Sequence, residues 1–412
     1  MAQSEESSAA APKPWAWEGR SWGALAACGG AHILHDGMSA LVYVLLPVWA
    51  KAFALNLTQA AALKSTYAGC MALFQVPVSF LSERIGERGL LVAGTALAAL
   101  GYLLMGWTGG FLSLLFMLAL AGLGSSVQHP LASSLVARAF ETGQRRAALG
   151  TYNFSGDLGK MLLPGLAALS LGAYPWSHTT TGVGLFGLAA ALLLPLALRG
   201  VEPTPPAAPQ PERVSASPAG RGIIDSAGRG WGILDPAGFA ALSLIGVVDA
   251  ATRGGILVLL PFLLIEKGAS LQMVGLGLTL VFAGGACGKF VCGLLAERIG
   301  IVRTVIATEL ATAAGIGLVV IAPPQWQVLV LPLFGVALNG TSSVLYGTVA
   351  ELVTPQRRAR AFAVFYTVIT GSTALAPLLY GALADHAGIP LACAIMALTV
   401  LLAIPLSFRL RV

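Results

Sequence analysis

The chain has 412 residues, of which 56% are hydrophobic and 10% are charged, and its formal net charge is +6. An ordinary soluble domain carries about 25% charged residues, so this composition excludes a soluble globule and indicates a protein that lies in the lipid bilayer. The cations are spread between hydrophobic stretches rather than gathered with aromatic residues into one patch, which argues against nucleic-acid binding.

The first 21 residues are rich in Ala, Ser and Pro and lack the basic start of a secretory signal. We interpret residues 1–21 as a cytoplasmic N-terminal tail. Crossing a hydrocarbon core takes about 20 helical residues, and hydropathy with Gly, Pro and charge breaks indicates where such spans lie. Six spans are predicted near residues 22–50, 58–81, 89–109, 111–138, 147–171 and 180–199.

Residues 200–235 contain six prolines, and we interpret them as a cytoplasmic linker. Six further spans are predicted near residues 236–265, 271–294, 302–322, 326–353, 359–382 and 388–408. The sequence therefore predicts an all-α membrane protein with twelve transmembrane helices. They form an N-terminal bundle over residues 22–199 and a C-terminal bundle over residues 236–412, which ends in a short cytoplasmic tail.

Lys and Arg are distributed unevenly among the connections, and cytoplasmic loops are the ones that retain them. With both termini on one side, that side holds 18 of the 24 Lys and Arg residues, the opposite loops hold 2, and 4 lie inside spans. The sequence thus predicts cytoplasmic termini, and we expect the protein in a bacterial inner membrane.

The two halves are similar in sequence. The segment SFLSERIGER at residues 79–88 matches GLLAERIGIV at residues 293–302 after a shift of 214 positions, and Pro47 matches Pro261 after the same shift. Two halves duplicated in the same orientation predict two pseudo-symmetric six-helix bundles, with a substrate site at their interface near the midplane.

The repeated segment resembles the signature GxLaDrxGrr of the major facilitator superfamily, which lies between the second and third spans. In that family the loop is a cytoplasmic latch. The resemblance implies a cytoplasmic gate formed by Glu83, Arg84, Glu297 and Arg298, in which an acid and a guanidinium pair with the neighbouring bundle in one conformation and release it in the other.

A narrower resemblance links this sequence to the fosmidomycin-resistance-like exporters. It lies in GLGSSVQHP at residues 122–130 and in Asp157, Leu158 and Gly159 followed by Pro164. Leu131 stands where that group carries an acid. The resemblance implies export as the direction of transport.

Ionisable residues inside a span usually face a cavity or a partner, because each costs roughly 2.5–3.5 kcal/mol at mid-span. In the first span His32, Asp36, Ser39 and Tyr43 share one helical face. Our hypothesis is that Asp36 takes up and releases a coupling proton. The alternative is a permanent structural ion pair between Asp36 and Arg253.

His32, His35 and Asp36 together could imitate a metal cluster. Their spacing is not that of a recognised site, and His35 lies about 60° from the stripe of the other two on a helical wheel. We therefore expect no metal, and histidines that line a polar pore or are hydrogen-bonded in packing.

The fifth span carries Asn153, Asp157 and Lys160 on one face, and the seventh carries Asp249 and Arg253 one turn apart. Lys160 and Arg253 favour a substrate with a carboxylate, phosphate or phosphonate group. The alternative is that each cation is neutralised by the aspartate on its own helix.

Polar stripes also follow the fourth and tenth spans. His129 corresponds to Tyr346 after a shift of 217 positions, which suits a pore lined by both bundles. We predict His129 as a substrate or proton contact, with a packed histidine as the alternative, and we include Gln128, Asn339 and Tyr346 in the same pathway.

Three further ionisable residues lie nearer to predicted span ends. We expect Lys289, Glu309 and Lys64 to reach the membrane interface and to have gate or structural roles. No GxxxxGK[ST] segment is present to suggest an ATP-driven pump.

The sequence predicts a secondary transporter, not an enzyme, that exports a small polar, anionic or amphiphilic compound in exchange for protons by alternating access. We expect a monomer without a cofactor. The first alternative is a proton-coupled importer of a small organic anion, and a remote one is a membrane-embedded enzyme that uses His32, His35 and Asp36 for hydrolysis.

Overall fold

The computed structural model describes residues 19–140, 142–199, 233–349, 351–354 and 358–410. Twelve helical elements make up the N-terminal and C-terminal halves of this part of the chain, six in each. In the N-terminal bundle they are α1 (Gly19–Ala52), α2 (Leu57–Ile85), α3 (Glu87–Met105), α4 (Phe111–Ala139), α5 (Thr142–Ala173) and α6 (Trp176–Ala197). In the C-terminal bundle they are α7 (Pro236–Glu266), α8 (Leu271–Ile299), α9 (Ile301–Ile321), α10 (Pro324–Val349), α11 (Arg358–Ala387) and α12 (Ile389–Ser407).

Ten of these described elements contain a window that is long and apolar enough to cross a membrane. The other two, α2 and α5, have 29 and 32 residues, which exceeds the length that a crossing requires. Both carry polar residues and pack against the opposite bundle, α2 against α11 and α5 against α8. Their lower hydropathy therefore reflects a position between the bundles, and the predicted fold class is confirmed.

The internal repeat is visible in the turns as well as in the sequence. Gly86 connects α2 to α3 with φ of 88°, and Gly300, 214 positions later, connects α8 to α9 with φ of 85°. Side chains with a Cβ rarely adopt this left-handed region. Asn56 and Ser270, again 214 positions apart, cap the N-termini of α2 and α8.

Small residues allow the helices of each bundle to approach closely. A Cβ on Gly122 of α4 would collide with the Tyr67 carbonyl of α2, and a Cβ on Gly335 of α10 would collide with the Val281 carbonyl of α8. Because lipid supplies no hydrophobic drive between helices, such close packing is a principal source of association in a membrane.

We call the side where α1 begins and α12 ends the terminal face, and the opposite side the distal face. Near the distal face α2 and α11 are joined, because the Asp385 carboxylate accepts hydrogen bonds from the Leu57 and Thr58 amides at 2.7 and 2.9 Å. In the same half the Thr279 hydroxyl of α8 donates to the Met161 carbonyl of α5 at 2.7 Å.

The terminal thirds of the interface helices are more exposed than their distal thirds. On α2, Phe80 and Ile85 are exposed, whereas Leu63 and Tyr67 are fully buried. On α8, Phe290 is exposed, whereas Leu278 is fully buried. The bundles are therefore in contact at the distal face and separated at the terminal face.

One local feature differs from the predicted elements. The fourth span is not a uniform α-helix, since residues Gln128–Ala132 form a π-helical turn around Pro130. Proline lacks an amide donor, and the wider turn accommodates this loss. The predicted tail and linker, residues 1–21 and 200–235, lie mostly outside the described residues.

Candidate functional site

The charged cluster lies at the centre of the interface between the bundles. It consists of His32, Asp36, His129, Asp157, Lys160 and Lys289. Five members belong to α1, α4 and α5 of the N-terminal bundle, and Lys289 belongs to α8 of the C-terminal bundle. The structure thus brings together five residues that the sequence predicted and one that it placed at the interface with the headgroups.

Asp36 is the most enclosed carboxylate of the cluster, with 6% of its surface exposed. One of its oxygens lies 2.8 Å from the Lys160 ammonium and 3.3 Å from His32 Nε2, and the other lies 3.7 Å from His129 Nε2. A buried carboxylate needs such partners, because the cost of leaving it unpaired is several kcal/mol.

His32 is held in one orientation by its second ring nitrogen. Its Nδ1 lies 2.8 Å from the Tyr152 carbonyl, and its ring is stacked on the Tyr152 ring at a centroid distance of 4.3 Å. A carbonyl only accepts, so Nδ1 carries the hydrogen and donates it. Nε2 can then donate a hydrogen bond to ionised Asp36 only if the ring carries a second proton.

His129 is the most exposed member of the cluster, with 41% of its side chain accessible. One ring nitrogen of His129, one of His32 and one carboxylate oxygen of Asp36 lie within 4.8 Å of one another, a spacing that could hold a metal ion. The Lys160 ammonium already occupies one oxygen of Asp36 at 2.8 Å. A cation in that position disfavours a metal ion at this group.

The cluster continues from Asp36 across the interface. Lys160 also lies 3.5 Å from Asp157 on its own helix, as the spacing of three residues predicted. Asp157 in turn lies 2.7 and 2.8 Å from the ammonium of Lys289. Two carboxylates and two ammonium groups therefore alternate in a chain that links the bundles.

Lys289 and Lys64 bind partners inside the protein, so the expectation that they reach the membrane interface was wrong. Lys289 binds Asp157, as above. The ammonium of Lys64 donates to the carbonyl and the hydroxyl of Ser39 at 2.6 and 2.9 Å, and it lies 4.3 Å from the centroid of the Tyr43 ring. Both find partners inside the protein at lower cost than a stretched path to the interface.

Glu309 of α9 is fully buried, so the expectation that it reaches the membrane interface was wrong as well. It lies within electrostatic range of Asp249 and Arg253 on α7. Arg253 forms its ion pair with Asp249, one turn away, at 3.4 Å. The alternative ion pair between Asp36 and Arg253 is therefore wrong in this conformation.

His35 is a packed histidine rather than a member of the cluster. Its Nδ1 lies 3.1 Å from the Ser125 hydroxyl and its Nε2 lies 3.0 Å from the Thr95 hydroxyl. Thr95 donates to the Leu91 carbonyl at 2.8 Å, and the Tyr67 hydroxyl lies 2.7 Å from Ser125. When His35 is neutral, every hydrogen in this series of hydrogen bonds has an acceptor.

Gln128 is also buried in packing, with 1% of its surface exposed. Its amide nitrogen lies 3.4 Å from the Cys28 carbonyl and 3.3 Å from the Tyr152 hydroxyl. It supports Tyr152, and through it His32, instead of facing the opening.

The other predicted pathway residues lie on α1, α5 and α10. Asn153 is exposed on α5 one turn from Asp157, and Tyr43 is buried near Phe282 of α8 at a centroid distance of 6.3 Å. On α10, Asn339 is half-buried and bonds to Gly335, and Tyr346 is stacked on Tyr366 at 4.6 Å.

The four predicted gate residues have similar surroundings in the structure. Glu83, Arg84, Glu297 and Arg298 are all exposed near the terminal face, and none of the salt bridges found in the described part of the chain involves them. A released latch agrees with bundles that are separated at this face.

The sequence matches one known family over nearly its whole length. The family model described as Major Facilitator Superfamily matches residues 28–241 and again residues 242–412, once for each half. The chain belongs to the Major Facilitator Superfamily. It is therefore a multi-pass membrane transporter, and the interface between its bundles is the place where this fold binds a solute.

Two curated relatives give more detail. The chain is 26% identical to the fosmidomycin resistance protein of Escherichia coli (strain K12) over 386 residues, which are 93% of this chain and 91% of that protein. It is 26% identical to the uncharacterized MFS-type transporter YfnC of Bacillus subtilis (strain 168) over 143 residues, 35% of either chain.

Solved structures share the fold at low sequence identity. A bacterial homolog of the human lysosomal transporter Spinster, in an inward-facing and unoccupied conformation, superimposes with a TM-score of 0.75 at 17% identity and covers 95% of this chain and 97% of that chain. A variant of the nucleoside transporter NupG gives a TM-score of 0.76 at 12% identity, over 94% of this chain and 100% of that chain.

Proposed function

We propose that this superfamily member exports a small polar or anionic compound in exchange for protons. The observation that carries the proposal is the convergence of Lys160 and Lys289, one from each bundle, on the carboxylate of Asp157. The proposal includes a bacterial inner membrane, cytoplasmic termini and a monomer, so the terminal face opens to the cytoplasm.

Asp157 holds the position that an anionic group of the substrate would take. Lys160 and Lys289 keep 32% and 40% of their side chains exposed, so a solute that enters from the terminal face can reach both. A carboxylate, phosphate or phosphonate group placed between two ammonium groups gains charge-assisted hydrogen bonds from both bundles. Such a solute competes with Asp157 and joins the bundles around itself.

Asp36 supplies the link to protons. In its ionised form it can accept a hydrogen bond from a donor group of the same substrate, and in its protonated form it loses most of that ability. Proton and substrate then exclude each other at Asp36, which is the relation that exchange requires. His129, exposed beside Asp36, is placed to pass the proton to water.

Export rests on a further observation. The relative that covers 93% of this chain is named for resistance to fosmidomycin, and resistance to a compound is commonly achieved by its removal from the cell. Fosmidomycin and simple phosphonates are therefore the first compounds to test.

One observation favours the alternative of a proton-coupled importer of an organic anion. Lys160 is shared between Asp36 at 2.8 Å and Asp157 at 3.5 Å. Protonation of Asp36 would release Lys160 for an anion, and proton and substrate would then bind together instead of excluding each other.

The sign of the pH dependence separates the two mechanisms. We expect ligand-induced thermal stabilisation of the purified protein to increase with pH for exchange and to decrease with pH for co-transport. Flux in proteoliposomes with an imposed pH gradient then gives the direction. An affinity that does not vary with pH would contradict coupling through Asp36.

The substrate contact has its own test. We expect Lys289→Gln to weaken binding of the anion about tenfold or more. Arg303→Gln is the matched control, since it removes an exposed cation from α9 near the terminal face. Equal affinity in the wild type and in Lys289→Gln would exclude Lys289 as a contact.

A further inference from the structure

The C-terminal bundle contains a second buried carboxylate that the charged cluster does not use. Glu309 is fully buried, and neither of its carboxylate oxygens accepts a hydrogen bond from a donor in the described part of the chain. An ionised carboxylate without a donor in a site shielded from water costs several kcal/mol. The C-terminal bundle must therefore neutralise this carboxylate in some other way.

The charges around Glu309 do not balance if it is ionised. The charged groups within electrostatic range are Asp249 and Arg253 of α7. Arg253 is already paired with Asp249 at 3.4 Å, so ionised Glu309 would leave one uncompensated negative charge. The neighbouring helices α10 and α12 contain no Asp, Glu, Lys, Arg or His over residues 324–349 and 389–407.

The remaining ionisable groups of α8 and α9 are already accounted for elsewhere. Lys289 binds Asp157 on the other bundle, and Glu297, Arg298 and Arg303 are exposed near the terminal face. None of these cations is placed to neutralise Glu309.

The hydroxyl groups beside Glu309 have fixed directions. Thr308 lies 2.9 and 3.0 Å from the carbonyls of Thr304 and Val305, which can only accept, so the Thr308 hydrogen points to them. Thr341, 2.8 Å from Thr308, must then donate its own hydrogen to Thr308. Thr341 also lies next to the Glu309 carboxyl, and only its lone pairs remain for that contact.

An acceptor beside an ionised carboxylate repels it, whereas an acceptor beside a carboxylic acid binds its O–H group. From this geometry we infer that Glu309 is a second proton-binding site, which holds a proton as a neutral carboxylic acid that donates to the Thr341 hydroxyl. This site lies in the C-terminal bundle and is separate from Asp36. A proton on Glu309 moves with the C-terminal bundle, whereas a proton on Asp36 moves with the N-terminal bundle.

Infrared spectroscopy of the full-length purified protein at neutral pH tests this inference. The expected result is a carboxylic-acid carbonyl band that is lost in Glu309→Gln. The band should persist in Glu297→Gln, the matched exposed control on α8, and in Asp36→Asn. Persistence in Asp36→Asn separates this site from the proposed coupling proton, so either claim can fail without the other.

A second variant tests the inference even if Glu309→Gln does not fold. Thr341→Val keeps the shape of the side chain and removes the acceptor, so the band should remain and shift to higher frequency. In parallel, the melting temperature of the wild type should decrease as the pH rises from about 5 to neutral, because the fold retains a proton that an unfolded glutamate, with a pKa of about 4.3, has released. Glu309→Gln should not show this decrease.

Three results would overturn the inference. The first is a folded Glu309→Gln protein that retains every acid band. The second is a band unaffected by Thr341→Val. The third is a band that disappears on addition of NaCl but not of choline chloride, which would identify the ligand as sodium.

Discussion

Lys289 of α8 and Asp157 of α5 form a direct ion pair between the two bundles, with the ammonium 2.7 and 2.8 Å from the carboxylate oxygens. Their positions in the chain are 132 residues apart. The pair lies where the separated terminal part of the interface meets the packed distal part. It therefore links the two bundles directly, and in the proposed function it occupies the place of the substrate anion when no solute is bound.

This ion pair is expected to show energetic coupling. In a double-mutant cycle of Lys289→Gln and Asp157→Asn, each single variant should lower the stability of the protein, and the double variant should lose less than the sum. We expect a coupling energy of about 1 kcal/mol, a modest value because 40% of the Lys289 side chain is exposed. Thermal unfolding in detergent measures it, and additive losses would show that the pair contributes nothing.

Asp36→Asn removes the carboxylate that Lys160 and the two histidines share. We expect transport in this variant to vary less than about twofold between about pH 5.5 and 8, because the group that links proton to substrate is gone. Glu266→Gln, which changes an exposed acid at the distal end of α7, is the control and should keep the wild-type profile. A wild-type pH profile in Asp36→Asn would place the coupling proton elsewhere.

His35→Ala is predicted to act on stability and not on proton coupling. It removes a buried ring and leaves the Ser125 and Thr95 hydroxyls without their partner, at a cost of about 3 kcal/mol. His129→Ala removes a ring that is 41% exposed and should reduce the melting temperature far less while changing the pH dependence. The reverse pattern in thermal-shift and flux assays would contradict both assignments.

Asp385→Ala is predicted to open the distal face. Its carboxylate caps the first turn of α2 from the opposite bundle, and loss of a capping side chain costs about 1 kcal/mol. We therefore expect the population open at the distal face to rise about fivefold. Spin-label distances between Lys51→Cys and His386→Cys, both exposed at that face, would report the change in a background that lacks Cys287.

Asp235→Ala provides the control for this experiment. Asp235 caps α7 from within its own bundle, through the amides of Ala237 and Gly238 at 3.1 and 3.0 Å. Its removal should destabilise α7 by a similar amount without a change in the distal distances. Identical distance distributions in the wild type and in Asp385→Ala would show that this contact does not hold the distal face closed.

The sequence predicts ion pairs within one helix but not those between helices, and the reason is geometric. Helical periodicity places residues three and four apart on one face, so the Asp157–Lys160 and Asp249–Arg253 pairs followed from the sequence. Periodicity does not say which helix stands opposite. For that reason the sequence suggests Arg253 as an alternative partner of Asp36, whereas Asp36 pairs with Lys160 in the structure.

Lys289 could have been identified by one available signal. It lies ten residues before the terminal end of α8, a distance of about 15 Å along a helix, which is too far for its side chain to reach the headgroups easily. The prediction places Lys289 too close to the end of its span, because the predicted span ends at residue 294 whereas the helix continues to Ile299.

Hydropathy, the repeated Gly and cap residues, and the internal duplication by themselves determined twelve helices in two similar bundles, because a chain in lipid must satisfy its backbone within each helix. Tertiary structure alone decided which buried charges meet and which face of the interface is open. Those outcomes depend on how each helix is rotated and how the two bundles are tilted against each other, and no local pattern in the sequence records either quantity.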